Sequence, residues 1–130
     1  MIHNQQPLTL RPDASVAEAC RQMYERRAGA VLVTEADGRL LGIFTGRDAV
    51  RMMAQGRGAS GPLDAAMTRA PHTVPPGRLT IDALRLMHDG GFRHVPVVDN
   101  GKVVGLVAWG EFRKSEHDRL DAEISHWERM

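Results

Sequence analysis

The sequence predicts an α/β (α+β) fold made of two similar units, each with the order strand, helix, strand, strand, helix. Residues 73–97 repeat the apolar pattern of residues 9–33 at a constant offset of 64. The pairs Asp37-Gly38 and Asn100-Gly101 are strong hairpin-turn signals, and each lies between two apolar runs. Because a unit of about fifty residues buries too little surface to be stable alone, we expect the two units to pack together.

The first unit is predicted to span residues 1–56. A short strand at 8–10 precedes a helix that Asp13 or Ser15 can cap and that Gly29 is expected to end. Apolar residues recur along this helix at intervals of three and four and form its predicted buried face: Val16, Ala19, Cys20 and Met23. Residues 30–33 and 40–44 read as the two strands of a hairpin.

A second helix is predicted from about Arg47 to Gln55, with Val50, Met53 and Ala54 turned inward. The Gly- and Pro-containing segment 57–63 follows and is predicted to be a flexible linker. The second unit is then expected at 64–113.

Residues 114–130 are predicted to form a charged amphipathic helix at the C-terminal end of the chain. Its apolar stripe, which begins just before this range, needs a partner: Phe112, Leu120, Ile124 and Trp127. We expect this helix to pack across or beside a homodimer interface, although it could also fold back on its own chain.

Composition argues against several classes of function. Seventeen basic and sixteen acidic residues among 130 give a net charge of +1, which does not favour nucleic acid or an anionic membrane. The sequence contains no apolar run long enough to span a bilayer, and we expect a cytoplasmic protein. The single cysteine, Cys20, cannot form an internal disulfide, and no histidine pair has the helical spacing of a metal site. No catalytic arrangement is evident, so we do not predict an enzyme.

The most informative stretch is the heptapeptide Gly42–Asp48, where an apolar strand leads into a helix. Thr45 can cap that helix and offer its hydroxyl, while Asp48 lies one turn further, near free backbone N–H groups. This spacing suits a ribose and a phosphate, but a capping residue with a first-turn acid would give the same pattern. The heptapeptide recurs at 105–111 with Ala108 and Glu111 in place of the hydroxyl and the aspartate.

These residues resemble a known family. The heptapeptide and the segment Phe92–Asp99, at matching places in a tandem repeat, are similar to paired cystathionine-β-synthase (CBS) domains, which form the Bateman module, here in a stand-alone form. The resemblance covers about residues 7–113. It implies units packed sheet to sheet with pseudo-two-fold symmetry, and two clefts that bind adenosine-containing ligands such as AMP, ADP, ATP or S-adenosylmethionine. It also implies a regulatory role without a catalytic cofactor.

The resemblance implies specific roles in the first cleft. Asp48 would accept hydrogen bonds from ribose hydroxyls, and Thr45 would bond ribose or phosphate. Around the base it implies two groups of residues, with Gly29, Ala30 and Ile43 flanking it and the backbone of His72, Thr73 and Val74 reading its edge. The available phosphate partners are Arg47, Arg69, Arg93 and His94, although Arg47 and Arg69 could equally be solvent-facing charges.

The second cleft departs from the family pattern. It would contain Thr9, Leu10, Ala108 and Glu111. Ala108 removes one hydrogen-bond partner, which is worth roughly 0.5–1.5 kcal/mol. The longer Glu111 side chain displaces the carboxylate, so this cleft is expected to be empty or altered unless Glu111 adjusts to the ligand.

The residue patterns and the resemblance are compatible with two functions. The first is a sensor that binds an adenine nucleotide in the Asp48 cleft and signals its occupancy to an unidentified effector protein or through its own dimer. The second is a structural module that only dimerises and has no physiological small-molecule ligand. The sequence supports a homodimer in either case.

Overall fold

The computed structural model describes residues 6–77, 80–90 and 93–108. The first unit contains β1 (Thr9–Leu10), α1 (Val16–Arg26), β2 (Ala30–Thr34), β3 (Leu40–Thr45) and α2 (Gly46–Ala54). The remaining elements are a 3₁₀ turn (Leu63–Ala65), β4 (Thr68–Arg69), α3 (Thr80–Gly90), β5 (His94–Asp99) and β6 (Lys102–Ala108). The α/β class is confirmed, and the described elements occur in the predicted order, with the opening strand of the second unit reduced to a bridge at Val74. The last helix predicted for the second unit lies outside the described residues. The predicted C-terminal helix lies outside the described residues.

The first helix has the predicted cap and the predicted buried face. The Ser15 side chain accepts a hydrogen bond from the Glu18 N–H, and Val16, Ala19 and Met23 are buried. The helix ends before Gly29, however, because Arg27 adopts a left-handed conformation with φ of 52°. The Arg27 N–H bonds the carbonyls of Met23 and Tyr24, which satisfies the end of the helix. Gly29 is therefore free for another role.

The predicted inward face of α2 is wrong. Val50 and Met53 have 69% and 81% of their surface exposed, whereas Met52 is buried in the first core. Asp48 is also buried, four residues before Met52 and thus on the same side of the helix. The buried side of α2 is therefore the side of Asp48 and Met52, and Val50 and Met53 face outward.

The two units have the same strand register. In the first, β1 runs parallel to β2 with Leu10 opposite Val33, and Val74 bridges Val97 in the same way in the second. β2 pairs with β3 and β5 with β6 in antiparallel hairpins, and the register shifts after Val33 and again after Val97. The recurrence of this irregularity at the same offset shows that the sequence repeat is a structural repeat.

Segment 57–63 runs along the start of the first helix. The N–H groups of Val16 and Ala17 donate to the carbonyls of Gly61 and Ala59, each at 2.9 Å. These bonds satisfy donors that the first turn of a helix leaves free. Leu63 is fully buried in the first core, so the chain leaves the first unit only after this residue.

The units meet through their sheets and through their hairpin turns. The Leu40 N–H donates to the Gly101 carbonyl and the Val103 N–H to the Gly38 carbonyl, both at 3.0 Å. Buried side chains of both hairpins form a shared apolar cluster: Ala30, Leu32, Ile43 and Leu106. The expected sheet-to-sheet packing is thereby confirmed. Among the helices that the structure describes, none has the length and hydrophobicity to cross a membrane.

Candidate functional site

A cleft of about 330 Å³ opens where the two units meet. Its wall is formed by Gly29, Ile43, Thr45, Gly46, Arg47, Asp48, Thr68, Pro71, His72, Arg93 and His94. Eight of the eleven residues predicted for nucleotide binding are on this wall. The structure thus brings together side chains from β3, α2 and β5 and from the segment after β4.

Three of the predicted residues are not on the wall. Ala30 is buried in the contact between the sheets, and Val74 is buried in the second core, where it bridges Val97. Thr73 is exposed to solvent. Their predicted roles in binding the base are not tested by this geometry.

Thr45 and Asp48 form a capping box at the start of α2. The Asp48 N–H donates to Thr45 Oγ1 at 3.2 Å, and Asp48 Oδ2 accepts from the Thr45 N–H at 2.9 Å. The capping interpretation of this heptapeptide is therefore realised, and both residues nevertheless line the cleft. One pair of side chains starts the helix and also presents polar atoms to a ligand.

The capping box limits what the Thr45 hydroxyl can offer. Its proton is directed to Asp48 Oδ2 at 3.1 Å, because a carboxylate can only accept. One oxygen lone pair is also used by the Asp48 N–H, so a single acceptor position remains. In this arrangement Thr45 matches a ligand hydroxyl, which donates, better than a phosphate oxygen.

Positive charge lies on the cleft wall at Arg47 and Arg93. Neither guanidinium has a hydrogen-bond or ion-pair partner within the described part of the chain. Burial, and then the neighbouring charge of Arg93, lower the pKa of His94 below its usual value of 6.5, so this imidazole is neutral at pH 7. The two arginines give the cleft its attraction for an anion.

Arg69, a further phosphate partner suggested by the sequence, is not on the cleft wall. Its guanidinium bonds the Asp64 carboxylate and, at 3.1 Å, the Asp64 carbonyl. Arg69 is therefore a solvent-facing charge, the alternative considered for it above, since 63% of its side chain is exposed.

Gly46, Thr68 and Pro71 complete the wall and were not predicted. β4 brings Thr68 to the cleft by pairing with β3, where Thr68 is opposite Ile43. Gly42 permits this pairing, because a Cβ there would lie 2.7 Å from the Thr68 carbonyl oxygen. Gly29 has a similar use, since the His94 ring lies 3.0 Å from the place of its missing Cβ. Pro7 and Pro71 are separated by the repeat offset of 64, and this match could have pointed to the segment after β4.

Less of the second cleft is described. Thr9 is exposed, and Leu10 and Ala108 are half-buried, with Ala108 opposite His94 at the end of β6. Glu111 lies outside the described residues, as do Phe92 and the apolar stripe from Phe112 to Trp127. The predicted alteration of this cleft therefore stays a prediction.

The family model for the CBS domain matches residues 1–55 and 63–118. The chain belongs to the CBS domain family and contains two copies of the domain. It is 43% identical over 102 residues to the CBS domain-containing protein CBSCBSPB2 of Arabidopsis thaliana, a match that covers 77% of this chain. The match covers 19% of that plant protein, so the chain spans about a fifth of the length of this relative.

Two other proteins are similar over most of their length. The CBS domain-containing protein YhcV of Bacillus subtilis is 36% identical over 127 residues, with 93% of this chain and 90% of YhcV covered. The solved structure of CBS domain protein PAE2072 from Pyrobaculum aerophilum, complexed with AMP, has a TM-score of 0.80 and 26% identity. That alignment covers 89% of this chain and 92% of the other. None of these three names describes a reaction.

Proposed function

We propose that this protein is a regulatory module that binds one adenosine-containing ligand in the Asp48 cleft and signals its occupancy to a partner or through its own dimer. The observation that carries the proposal is the composition of the cleft wall. It combines the acceptors of Thr45 and Asp48 with the guanidinium groups of Arg47 and Arg93, which have no ion-pair partner among the described residues. A nucleotide needs both kinds of group, since its ribose donates hydrogen bonds and its phosphate is an anion.

The structural neighbour from Pyrobaculum aerophilum supports the class of ligand, because that protein is complexed with AMP. The apolar part of the wall at Ile43 and the uncovered backbone at Gly29 offer a surface for a flat base. Such a ligand fits the predicted cytoplasmic location. The single cysteine fits it too, because a protein of that compartment does not need an internal disulfide. AMP, ADP, ATP and S-adenosylmethionine are the candidates to be tested.

The proposed role is regulatory rather than catalytic. The groups on the cleft wall can accept or donate hydrogen bonds and attract an anion. The single cysteine, Cys20, which could act as a nucleophile, is not on this wall. In the described ranges, 6–77, 80–90 and 93–108, no group of three or more His, Cys, Asp or Glu side chains could hold a metal ion. Binding without turnover is the simplest use of this wall.

Thermal melting with and without each ligand tests the proposal. A ligand present at about 100 times its dissociation constant stabilises the folded state by about 2.7 kcal/mol, which raises Tm by several degrees for a domain of this size. We expect at least one adenosine ligand to produce this rise and guanosine monophosphate to produce a smaller one. A folded sample that shows no rise with any of them would instead support a purely structural module.

We also propose that the protein is a homodimer. Large apolar side chains of α1 and α2 are exposed, with 86% of Tyr24, 69% of Val50 and 81% of Met53 accessible. Covering a large apolar side chain stabilises by ~1.5–3 kcal/mol, and two-fold pairing is the commonest symmetry. A symmetric contact that includes α2 would bring the helix that begins at the cleft into the interface. The predicted C-terminal helix could extend this contact.

Light scattering of a Met53→Glu variant tests the dimer. We expect the variant to be monomeric at a concentration where the wild type is a dimer, because a charge is costly in an apolar interface. Val104→Glu serves as the matched control, since Val104 is an apolar residue of β6, outside α1 and α2, and 39% of it is exposed. A wild type that is monomeric would contradict the proposal.

A further inference from the structure

Arg51 lies one turn after Asp48 on α2 and donates a hydrogen bond to the Asp48 oxygen Oδ1. Only 8% of the Asp48 side chain is exposed, whereas 55% of the Arg51 side chain is exposed. Arg51 does not form part of the cleft wall. A buried carboxylate of the proposed binding site is thus paired with an arginine that reaches it from the helix surface.

The Asp48 carboxylate has few acceptor positions left. A carboxylate offers about four, two on each oxygen. Oδ2 already accepts from the Thr45 N–H at 2.9 Å and from Thr45 Oγ1 at 3.1 Å. Oδ1 accepts from Arg51, which leaves one position. The two neighbouring hydroxyls of a ribose would need two.

The bond to Arg51 is the one that can be released most easily. Breaking the bonds to Thr45 would disrupt the capping box and leave a backbone N–H and a hydroxyl without their acceptor, which destabilises the start of the helix. The Arg51 guanidinium can instead return to water, because more than half of its side chain is already exposed. A ligand with two hydroxyls would therefore displace Arg51 and keep the capping box.

We propose that Arg51 competes with the two ribose hydroxyls for Asp48 and leaves the carboxylate when a ribonucleotide binds. Arg51 is then a specificity-determining residue that lowers the affinity of the cleft for ribose and reduces its discrimination against deoxyribose. A deoxynucleotide has one hydroxyl beside this carboxylate and can use the remaining acceptor position without displacing Arg51. This inference rests on the proposed function, and it concerns the regulation of affinity at the same site.

Titration calorimetry with AMP and with 2′-deoxyadenosine monophosphate tests the inference on the full chain. We expect Arg51→Gln to lower the Kd for AMP by about two- to fivefold, which corresponds to about 0.4–1 kcal/mol, the worth of a half-exposed ion pair. The Kd for the deoxynucleotide should change less, so the ratio of the deoxynucleotide Kd to the AMP Kd increases. Arg51→Lys should restore the wild-type ratio, because its ammonium group can also pair with Asp48.

Arg21→Gln is the matched control. Arg21 also pairs with an acid on its own helix, Glu18, with the same three-residue spacing, and it does not form part of the cleft wall. This variant removes the same charge and should leave both Kd values unchanged. A tightening of equal size in Arg21→Gln would overturn the inference, since net charge alone would then explain it.

The remaining outcomes separate the inference from the function it rests on. If the wild type binds AMP and Arg51→Gln binds it equally or more weakly, the competition is wrong and the proposed function stands. If neither protein binds either nucleotide, the competition is wrong, and melting with ADP, ATP and S-adenosylmethionine decides the proposed function separately. Binding of AMP by Arg51→Gln alone would support the competition in its strongest form.

Discussion

The hairpins of the two units have equivalent backbone pairing but differ at a position that faces the cleft. Ala30 is opposite Thr45 in the first hairpin, and His94 is opposite Ala108 at the equivalent place in the second. The hydroxyl that starts α2 in the first unit is therefore replaced by a methyl group in the second. Register depends on apolar alternation and on the turns, so a repeat can keep its fold while one copy loses its polar groups.

The comparison extends to the other side of the cleft. Gly29 in the first unit corresponds to Arg93 in the second. Because Gly29 has no side chain, the His94 ring can lie 3.0 Å from the place where a Cβ of residue 29 would be. Arg93, in contrast, adds a charge to the same wall. The first unit supplies space, the acceptors and the guanidinium of Arg47, and the second unit adds the guanidinium of Arg93. One functional cleft is the outcome that this asymmetry favours.

The largest expected effect comes from the difference between the two cores. Phe44 is fully buried in the first core, and Val107 is buried at the equivalent place in the second. Phe44→Ala should cost about 3–5 kcal/mol in the free energy of unfolding, and Val107→Ala about 1.5–2.5 kcal/mol. Urea unfolding measures both, with the exposed Val104→Ala as a control within about 0.5 kcal/mol of the wild type. Equal costs for the two core variants would contradict this comparison.

The difference between the two acids should be nearly as large. In Asp48→Asn an amide group that cannot accept takes the place of one carboxylate oxygen, so AMP binding should weaken by about 1.5–3 kcal/mol, or more than tenfold. Glu111→Gln should leave the Kd for AMP unchanged. Calorimetry on both variants measures the effect, and a larger loss at Glu111 would assign binding to the other cleft.

The pairing of β4 should have a moderate effect. Gly42→Ala places a Cβ 2.7 Å from both the Thr68 carbonyl oxygen and the Met67 sulfur. Because the carbonyl belongs to the backbone, β4 must move, at a cost of about 1–3 kcal/mol in stability. Thr68 is on the cleft wall, so the Kd for AMP should increase as well. Gly58→Ala is the control, since Gly58 is not on the cleft wall and its added Cβ would meet no described residue other than its chain neighbours within 4 Å.

The smallest effect is a pH dependence of stability that comes from His94 in the second unit. Its counterpart in the first unit, Ala30, cannot titrate. Burial and Arg93 lower the pKa of His94 from 6.5, so the unfolded chain binds more protons than the folded one below that pH. The His94 contribution to stability is complete above pH 6.5 and is lost as the pH falls toward the folded pKa.

Melting curves between about pH 7.5 and pH 5 should therefore show a smaller decrease of Tm for His94→Gln than for the wild type. The other histidines are present in both proteins, so the difference between the two curves reports on His94. A steeper decrease in the variant would show that His94 gains a proton more readily in the folded state, opposite to the direction expected from its burial.

Much of the fold could be predicted because the repeat supplied each element twice. Ser15 as a cap, the two hairpins and the buried face of α1 depend on local patterns that the sequence contains. The rotation of α2 could not be predicted in this way. Val50 and Met53 fit an apolar stripe, but Asp48 and Met52 are the residues on the buried face, and an acid is not normally expected there.

The site was predictable to a similar extent and for similar reasons. Thr45 and Asp48 could be predicted from the sequence because a capping pattern is local. Thr68 and Pro71 reach the cleft through the pairing of β4 with β3, a contact that depends on the absence of a side chain at Gly42. The bond from Arg51 to Asp48 depends on one side-chain conformation, which a sequence does not specify.

The number of AMP molecules bound per chain tests the central claim most directly. Titration calorimetry on the wild type, followed by Asp48→Asn, measures this number and assigns it to a cleft. We predict one AMP per chain, with binding weakened more than tenfold in Asp48→Asn. Two equivalent molecules per chain, or an unchanged affinity in Asp48→Asn, would contradict the conclusion that the Asp48 cleft is the one that binds.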